Sequence, residues 1–254
     1  MSIELSERVK ILKPSASIAA RQRVVEFEAK GRRIIDFTLG EPDMDTPAHI
    51  VEAAIAAMRR GETHYTATQG MPALRKAIAA KFSRDNGIGV SPDNVIVGNG
   101  AKQLIFEAFA ATLNPGDEVV VPAPYWVSYP DIVSVNGGKP VIVDCDESDG
   151  FLLQPEALEG AITSKTRWLV LNSPNNPSGA VYDRDTLEKI AAVLRRHPRV
   201  ALMADEIYEH LTYGDGRHIT LPQIAPDLAG RCLIVNGMSK AYAMTGWRLG
   251  YAAG

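Results

Sequence analysis

From residue 94 onward the chain repeats one order of features: a short apolar run, a loop rich in Gly, Pro or Asn, and an amphipathic helical pattern. The apolar runs cover residues 95–97, 118–121, 140–143, 168–171, 200–203 and 233–235. Strands that alternate with helices and are apolar throughout indicate a mostly parallel sheet that is buried on both faces. The sequence therefore predicts an α/β fold in which helices cover the sheet.

The segment before this repeat has a different organisation. Residues 1–14 have the character of an arm, and residues 15–30 have helical spacing. Residues 33–38 predict a strand, which a sharp turn at 40–43 would end. Two further helical patterns cover about 47–60 and 71–85, by the spacing of their apolar residues.

The composition argues against several classes of protein. The 254 residues carry a net charge of −3, which gives no electrostatic reason to expect nucleic acid or an anionic membrane as a partner. No apolar run approaches a membrane span, and the N-terminus lacks the apolar core of a signal peptide. Cys145 and Cys232 lie far apart without metal-type spacing, which favours a reducing compartment and predicts a cytoplasmic protein.

The loops after the apolar runs carry the candidate chemistry, because ligands of open parallel sheets bind beyond the carboxyl ends of the strands. These loops supply a glycine pair, an indole, an amide, a carboxylate with a phenol, and a lysine, at residues 98–102, 122–126, 172–179, 205–208 and 239–240. Five loops with such groups predict a cofactor pocket at one edge of the sheet.

Two of these loops predict a site for a phosphorylated aldehyde. Gly98-x-Gly100 opens a helix near Ala101, whose backbone N–H groups suit a phosphate. Lys240 follows a buried strand on a turn of small residues, and Arg248 offers a fork of donors to an anion. A lysine at a strand end beside such an arginine suits a Schiff base to a phosphorylated aldehyde.

The last residues of the chain resemble a known signature. The run Ser239-Lys240 followed by Gly246-x-Arg248-x-Gly250 is similar to the pyridoxal-phosphate attachment signature of class I aminotransferases. The segments at 173–179 and 205–208 are similar to the Asn-Pro-x-Asn-Pro-Thr-Gly and Asp-x-x-Tyr elements of that family, and 40–47, 100–102 and 124–126 also match. The branch that the chain resembles is that of the bacterial aspartate aminotransferases.

The resemblance implies a domain organisation. Residues 47–254 would form the large, pyridoxal-phosphate-binding domain of a fold type I transferase. Residues 1–46 would form an N-terminal arm and the N-terminal part of an incomplete small domain. The C-terminal part of the small domain, which supplies the arginine for the substrate α-carboxylate, would be missing.

The resemblance also implies roles around the cofactor. Lys240 would form the internal aldimine, and the loop at Gly100 would join Ala101, Lys102 and Arg248 in holding the phosphate. Tyr65 would reach the phosphate of a neighbouring subunit, which implies a homodimer with shared active sites. Gly237 departs from the family pattern, since many relatives have a phosphate-binding serine there.

The remaining groups would act on the cofactor ring. Trp126 would stack on the ring, although packing in the core is an equally good interpretation from the residue alone. Asp205 would pair with the protonated ring nitrogen and keep the ring able to accept electrons. Asn176 and Tyr208 would donate to the ring's phenolate oxygen, which lowers the pKa of the aldimine.

The predicted reaction is a ping-pong transfer of an amino group, in which Lys240 acts as general base and acid. Gly40, Trp126 and Asn176 would contact the substrate. Lys102, with help from Ser17, would favour acidic side chains, which predicts aspartate with 2-oxoglutarate. Prephenate or aromatic oxo acids are alternative acceptors, and a lyase or another fold type I reaction would use nearly the same residues.

Two alternatives from other classes stay open. The first is a truncated protein that binds pyridoxal phosphate without turnover. The second is a metal-dependent hydrolase built on Asp205, Glu206, Glu209 and His210, whose i,i+4 spacing would place them on a helix. The other histidines, at 49, 64, 197 and 218, predict surface or capping positions.

Overall fold

The computed structural model describes residues 3–12, 16–38, 40–214 and 216–254; the side chains of residues 16 and 17 lie outside this description. The strands are β1 (Val95–Asn99), β2 (Glu118–Ala123), β3 (Lys139–Asp144), β4 (Thr166–Asn172), β5 (Ala201–Asp205), β6 (Cys232–Gly237) and β7 (Leu249–Ala253). Within the described residues they form one seven-stranded sheet in the order β1-β7-β6-β5-β4-β2-β3.

The sheet is mostly parallel, which confirms the predicted fold class. The pairs β2–β3, β2–β4, β4–β5 and β5–β6 are parallel, and β7 runs antiparallel to both of its neighbours, β1 and β6. The sequence analysis predicted the other six strands but not β7. Because β7 is antiparallel, its first residues lie at the edge where β1 and β6 end.

The helices confirm the predicted helical segments to within two residues at either end. They are α1 (Glu7–Lys10), α2 (Ala16–Ala29), α3 (Ala48–Arg59), α4 (Pro72–Asn86), α5 (Ala101–Thr112), α6 (Ser128–Val135), α7 (Pro155–Ala161), α8 (Arg184–Arg196) and α9 (Leu221–Ile224). Over the described part of the chain, none of these helices has the length and apolar character needed to cross a bilayer.

Helices cover both faces of the sheet, and side chains of the strands pack against the helices on either face. In β4, Leu169 and Leu171 pack with residues of α4, α7 and α8, whereas Val170 packs with residues of α5 and α6 on the opposite face. Phe109 of α5 is completely buried in that second cluster. Burial of one such side chain contributes about 1.5–3 kcal/mol, so the two cores fix the sheet edge that carries the loops.

The strand predicted at residues 33–38 was wrong, because residues 33–37 have no regular secondary structure and residue 38 is in a bend. Ile35 and Phe37 are 80% and 90% exposed. A strand needs a hydrogen-bonded neighbour, and no described strand pairs with this segment. The division into domains at residue 46 stays a prediction.

Candidate active site

One edge of the sheet collects the side chains that the sequence singled out. Asp205 is the last residue of β5, and Lys240 lies shortly after the end of β6. Arg248 immediately precedes the antiparallel strand β7 and therefore lies at the same edge. The site is thus built from neighbouring strand ends and one strand start, where ligands of open α/β sheets bind.

A cradle forms where β7 passes the start of α5. Gly100 is the N-cap of α5 with a φ of +75°, and no side chain caps the helix there. A Cβ on Gly100 would overlap the Arg248 guanidinium, at 2.9 Å from Cζ, and a Cβ on Gly250 would overlap the backbone of Gly100 and Ala101. Glycine at both positions brings an uncapped helix start against a guanidinium, which is an arrangement that binds phosphate.

Two cations border this cradle. Lys102 lies in the first turn of α5, and Arg248 donates from Nη1 to the Thr245 carbonyl oxygen at 3.0 Å. The pKa of Lys102 is lowered, first because its ammonium is partly buried and second because it faces the charge of Arg248. A dianion bound between them would relieve this repulsion, so the residues present fit the phosphate of pyridoxal phosphate.

Lys240 lies beside the cradle in a half-buried position. Its Nζ donates to the Gly40 carbonyl oxygen and lies 5.9 Å from the centroid of the Tyr208 ring. The pKa of Lys240 is lowered, chiefly by burial; the charge of Glu41 opposes this effect, and that of Arg248 adds to it. A lowered pKa increases the fraction of neutral amine, which is the form that attacks an aldehyde.

Asp205 is the buried acid of the site, with 4% of its surface exposed. Its Oδ2 accepts a 2.6 Å hydrogen bond from the Tyr129 hydroxyl, and its Oδ1 accepts from the backbone N–H of Ile207 at 3.3 Å. Burial raises the pKa of Asp205 to about 6, against the lowering effect of these two hydrogen bonds. A carboxylate that is costly to ionise suits a cationic partner such as a protonated ring nitrogen.

The loop after β4 is tied to the loop after β5. Asn176 donates from Nδ2 to the Tyr208 hydroxyl at 3.2 Å, and its backbone N–H donates to Asn172 Oδ1 at 2.7 Å. Asn172 in turn donates from Nδ2 to the Asp205 backbone oxygen at 2.9 Å. Burial raises the pKa of the Tyr208 hydroxyl, which keeps it a proton donor. The predicted pair of donors, Asn176 and Tyr208, is therefore in contact.

Trp126 lies between Tyr129 and Lys102 at the border of the site. Its ring meets Tyr129 edge-on, with centroids 5.3 Å apart, and Lys102 Nζ lies 4.7 Å from the Trp126 centroid. Trp126 is only partly buried, so one part of the indole packs against the core and another part borders the site. Its packing against the core is confirmed in part, and its stacking on a cofactor ring stays a prediction.

Two series of contacts meet at the sheet edge, and we call their members the ring. One joins Lys240 to Tyr208 and Asn176, and the other joins Asp205 through Tyr129 and Trp126 to Lys102. The charge of Arg248 acts on both Lys102 and Lys240. The members are Lys240, Tyr208, Asn176, Asp205, Tyr129, Trp126, Lys102 and Arg248, with Gly40 and Gly100 in contact with it.

The sequence analysis missed Tyr129, and it gave no role to Asn172 or Gly250. Tyr129 lies three residues after Trp126, which in a helix would bring it to the same side, and this spacing was the available signal. Asn172 ends β4 as a polar residue in a buried strand. Gly250 belongs to the signature quoted above, but its contact with Gly100 and Ala101 follows from no local pattern.

Other predicted residues lie outside the ring. Tyr65 is fully exposed in the loop between α3 and α4, and its role toward a neighbouring subunit stays a prediction. The side chain of Ser17 lies outside the described part of the structure. At Gly237 a Cβ would lie 2.9 Å from the Leu249 oxygen and 3.2 Å from Gly250 Cα, so β7 leaves little room for a side chain there.

The helix expected for the metal alternative does not form, because residues 207–210 are a turn. Glu206 instead lies 3.1 Å from His218, whose side chain is 6% exposed, so the predicted surface position of His218 was wrong. Glu209 is buried too, and its carboxylate accepts hydrogen bonds from Lys81, Asn86 and Asn236. Ligand atoms of Glu206, Glu209 and His218 do lie within 4.8 Å of one another, but Glu209 is already held by its own cation.

Comparisons with known proteins identify the family of the chain. Residues 32–254 match the family model described as aminotransferase class I and II. The chain is 54% identical, over 98% of its length, to a probable aspartate/prephenate aminotransferase of Rhizobium leguminosarum bv. phaseoli, of which it covers 62%. It is 52% identical to the aspartate/prephenate aminotransferase of Cereibacter sphaeroides, again over 98% of the chain and 62% of that protein.

Solved structures show the same similarity. The aspartate aminotransferase of Rhizobium meliloti superimposes with a TM-score of 0.97 at 49% identity, covering 100% of this chain and 63% of that one. The Thermus thermophilus aspartate aminotransferase with maleate gives a TM-score of 0.94 at 47% identity, covering 100% of this chain and 65% of that one. The chain therefore spans less than two thirds of the length of each of these relatives.

Proposed function

The chain belongs to the class I and II aminotransferase family, and from this premise we propose that its ring of residues binds pyridoxal phosphate for the transfer of an amino group from an amino acid to a 2-oxo acid. The observation that carries the proposal is the position of Lys240, whose Nζ lies 5.9 Å from the centroid of the Tyr208 ring and donates to the Gly40 carbonyl oxygen.

Each part of the ring has a task in this proposal. When bound, pyridoxal phosphate supplies an aldehyde that captures amines and a ring that accepts electron density from the substrate Cα. Arg248, Lys102 and the start of α5 hold the phosphate group. Asp205 accepts a hydrogen bond from the protonated ring nitrogen. Tyr208 and Asn176 donate to the ring oxygen.

Lys240 moves the proton in this scheme. Its Nζ would hold the cofactor, and as a neutral base it would take the proton from the substrate Cα and give it back later in the transfer. Its lowered pKa supports this role, because the neutral form is required. A second half-reaction with the acceptor oxo acid uses the same groups in the opposite order, which is a ping-pong sequence.

Aspartate with 2-oxoglutarate is the substrate pair that we propose first. The support is that the named relatives are aspartate and aspartate/prephenate aminotransferases, and that Lys102 places a cation next to Trp126 at the site edge. Prephenate or an aromatic oxo acid is the second choice for acceptor, on the names of the relatives. Gly40 is in contact with Lys240 and Asn176 with Tyr208, where each would meet a substrate.

We also propose a homodimer, in which the exposed Tyr65 of one protomer serves the phosphate of the other. A cytoplasmic location is part of the same proposal, because Cys145 and Cys232 form no disulfide.

The proposal is tested by mixing the purified chain with pyridoxal phosphate and reducing it with borohydride. We expect a visible absorption band that borohydride removes, and a pyridoxyl mass increment on the Lys240 peptide. Lys240→Ala is the control: it should still bind the cofactor through Arg248 and the cradle, but without the increment. An increment on other lysines only would contradict the proposal.

Adding substrates to the cofactor-loaded chain then separates an enzyme from a binding protein. Aspartate should convert the visible band to that of the amine form of the cofactor, and 2-oxoglutarate should restore it. A band that neither compound changes would support the alternative of a protein that binds pyridoxal phosphate without turnover.

A further inference from the structure

Tyr129 makes the shortest hydrogen bond to the acid of the site. It lies on α6, its side chain is 1% exposed, and its hydroxyl donates to Asp205 Oδ2 at 2.6 Å. A buried phenol must satisfy its hydroxyl, and a carboxylate acceptor gives the stronger, charge-assisted kind of bond. Packing of the ring against Trp126 alone would be served equally well by phenylalanine.

The hydroxyl holds the carboxylate in one orientation. The other oxygen of Asp205 has the longer contact with the Ile207 N–H, at 3.3 Å. The charged and titratable groups that act on Asp205 or its partner are Glu206, which opposes its ionisation, and Tyr208 on the following turn. Within the described residues, the Asp205 carboxylate accepts hydrogen bonds from Tyr129 and Ile207 and forms no ion pair. Tyr129 is therefore the principal donor that stabilises its charge.

Tyr129 keeps its own proton under all ordinary conditions. Its pKa is raised well above the usual tyrosine value, mainly by burial and then by the charge of Asp205. The phenol is thus a constant, neutral donor, unlike an imidazole, which would change its charge near neutral pH.

We propose that Tyr129 is a positioning residue that holds the Asp205 carboxylate in the orientation that would receive a cationic ring nitrogen. The part that concerns the ring nitrogen rests on the proposed function. The part that concerns the orientation of Asp205 does not depend on a bound cofactor. The two parts of the proposal can therefore fail separately.

The first test measures the pKa of Asp205 in the cofactor-free chain by carbon-13 NMR of labelled aspartates, with Asp205→Asn to assign the signal. Removal of the hydroxyl in Tyr129→Phe should raise this pKa by about one unit, because a hydrogen bond to a charged acceptor is lost. An unchanged pKa in a folded Tyr129→Phe chain would overturn the proposal.

Tyr182→Phe is the matched control. Tyr182 is equally buried and its hydroxyl accepts from the Leu153 N–H at 3.1 Å, but it makes no contact with Asp205. It should leave the Asp205 titration unchanged while costing comparable stability against urea. A shift of the same size in both variants would assign the effect to loosened packing and overturn a specific role of Tyr129.

The second test measures pyridoxal phosphate affinity against pH. If only ionised Asp205 binds well, a one-unit rise predicts an affinity about fivefold lower for Tyr129→Phe at about pH 6 and nearly unchanged at about pH 8. A pH-independent loss would contradict the proposal. Failure of the unmodified chain to bind at all would contradict the proposed function, and the NMR titration would still decide on Tyr129.

Discussion

Gly250 of β7 and Ala101 at the start of α5 are in backbone contact, so close that a Cβ on Gly250 would overlap the Ala101 nitrogen. Gly250 also pairs with Gly98 of β1 and Gly237 of β6. The contact lets an antiparallel strand deliver Arg248 against the first N–H groups of α5. This approach of β7 to α5 is possible because Gly250 has no side chain.

Gly250→Ala should therefore damage both the fold and the cradle. The added methyl group has only backbone to displace, and overpacking of this kind costs about 1–3 kcal/mol or more. Urea unfolding should show this loss as a lower free energy of unfolding. The affinity for pyridoxal phosphate should fall as well. Gly160→Ala is the control with the opposite sign: it lies in α7 with open space around it, where alanine stabilises by up to about 1 kcal/mol. Equal stability of the two variants would refute the argument.

The sequence predicted the parts of the molecule whose signal is local. Apolar runs predicted six of the seven strands. The loops after these runs pointed to Asp205 and Lys240, and the signature near the end of the sequence pointed to Arg248. β7 was not predicted, because Leu249–Ala253 begins inside the Gly246-x-Arg248-x-Gly250 signature, which was interpreted for its chemistry and not as a strand. The segment 33–38 has the pattern of a strand but no described neighbour to pair with.

The site was predicted as a set of groups, and its internal contacts were not. Tyr129 and Asp205 are 76 residues apart in the chain, and only the packing of α6 on the sheet brings them together. The same holds for His218 and Glu206, which the sequence placed on the surface and on a helix. Residue spacing reports one element at a time, whereas these contacts depend on how two elements dock.

Arg248 should act on the phosphate of the cofactor and on little else. Arg248→Gln removes a charged donor, and a lost hydrogen bond to a charged group costs about 1.5–3 kcal/mol, or about 10- to 100-fold in affinity. We expect this loss for pyridoxal phosphate but not for pyridoxal, which lacks the phosphate, in absorbance titrations. Arg195→Gln, which breaks an exposed pair with Asp227, should change neither. A similar loss for both ligands would show that Arg248 acts through the fold.

Lys102 should discriminate between substrates. Its ammonium lies over Trp126 at the site edge, where a second carboxylate of the substrate would gain a charge-assisted bond. Lys102→Ser should slow conversion of the visible band by aspartate about 10-fold or more, with a smaller effect on alanine, which lacks that carboxylate. Lys165→Ser serves as a surface control. Equal losses for both amino acids would mean that Lys102 serves the phosphate only.

The buried pair of Lys81 and Glu209 should be costly to break. Lys81→Met leaves Glu209 buried without its cation, at a cost of about 3–5 kcal/mol. Adding Glu209→Leu should recover part of that loss, because it removes the unpaired charge but also the acceptor of Asn86 and Asn236. Lys10→Met, at an exposed pair with Glu7, should cost less than about 0.5 kcal/mol. If Lys81→Met and Lys10→Met proved equally mild in urea unfolding, the Lys81–Glu209 pair would not anchor the turn that carries Tyr208.

The pH dependence of this loss gives a second check. Although burial raises the pKa of Glu209, Lys81 and Asn86 outweigh this and leave it below the usual value. The pair therefore stabilises above the unfolded-state pKa, and its contribution is lost as the pH falls through the folded one. The penalty of Lys81→Met should shrink in acid, because Glu209 then takes up a proton. A penalty independent of pH would indicate lost packing instead.

Asp205 should lower the free energy of unfolding of the cofactor-free chain at neutral and higher pH. Its pKa is about 6 in the folded chain, against a usual value of 3.8. The folded state therefore holds this proton more tightly, so the stabilisation is complete below 3.8 and is lost as the pH rises through about 6. The difference is worth about 3 kcal/mol above both values. Asp205→Asn should thus be more stable than the unmodified chain at about pH 8 by up to that amount, and equal to it at about pH 4.

Asp146→Asn provides the comparison for that measurement. Asp146 is exposed and its pKa is lowered by hydrogen bonds from Ser148, so its substitution should not stabilise the chain at any pH. Thermal or urea unfolding of both variants across this pH range separates the two cases. The gain from Asp205→Asn should disappear when pyridoxal phosphate is added, because the cationic ring nitrogen would then compensate the buried charge only in the unmodified chain. A gain that persisted with the cofactor bound would mean that Asp205 does not face that nitrogen.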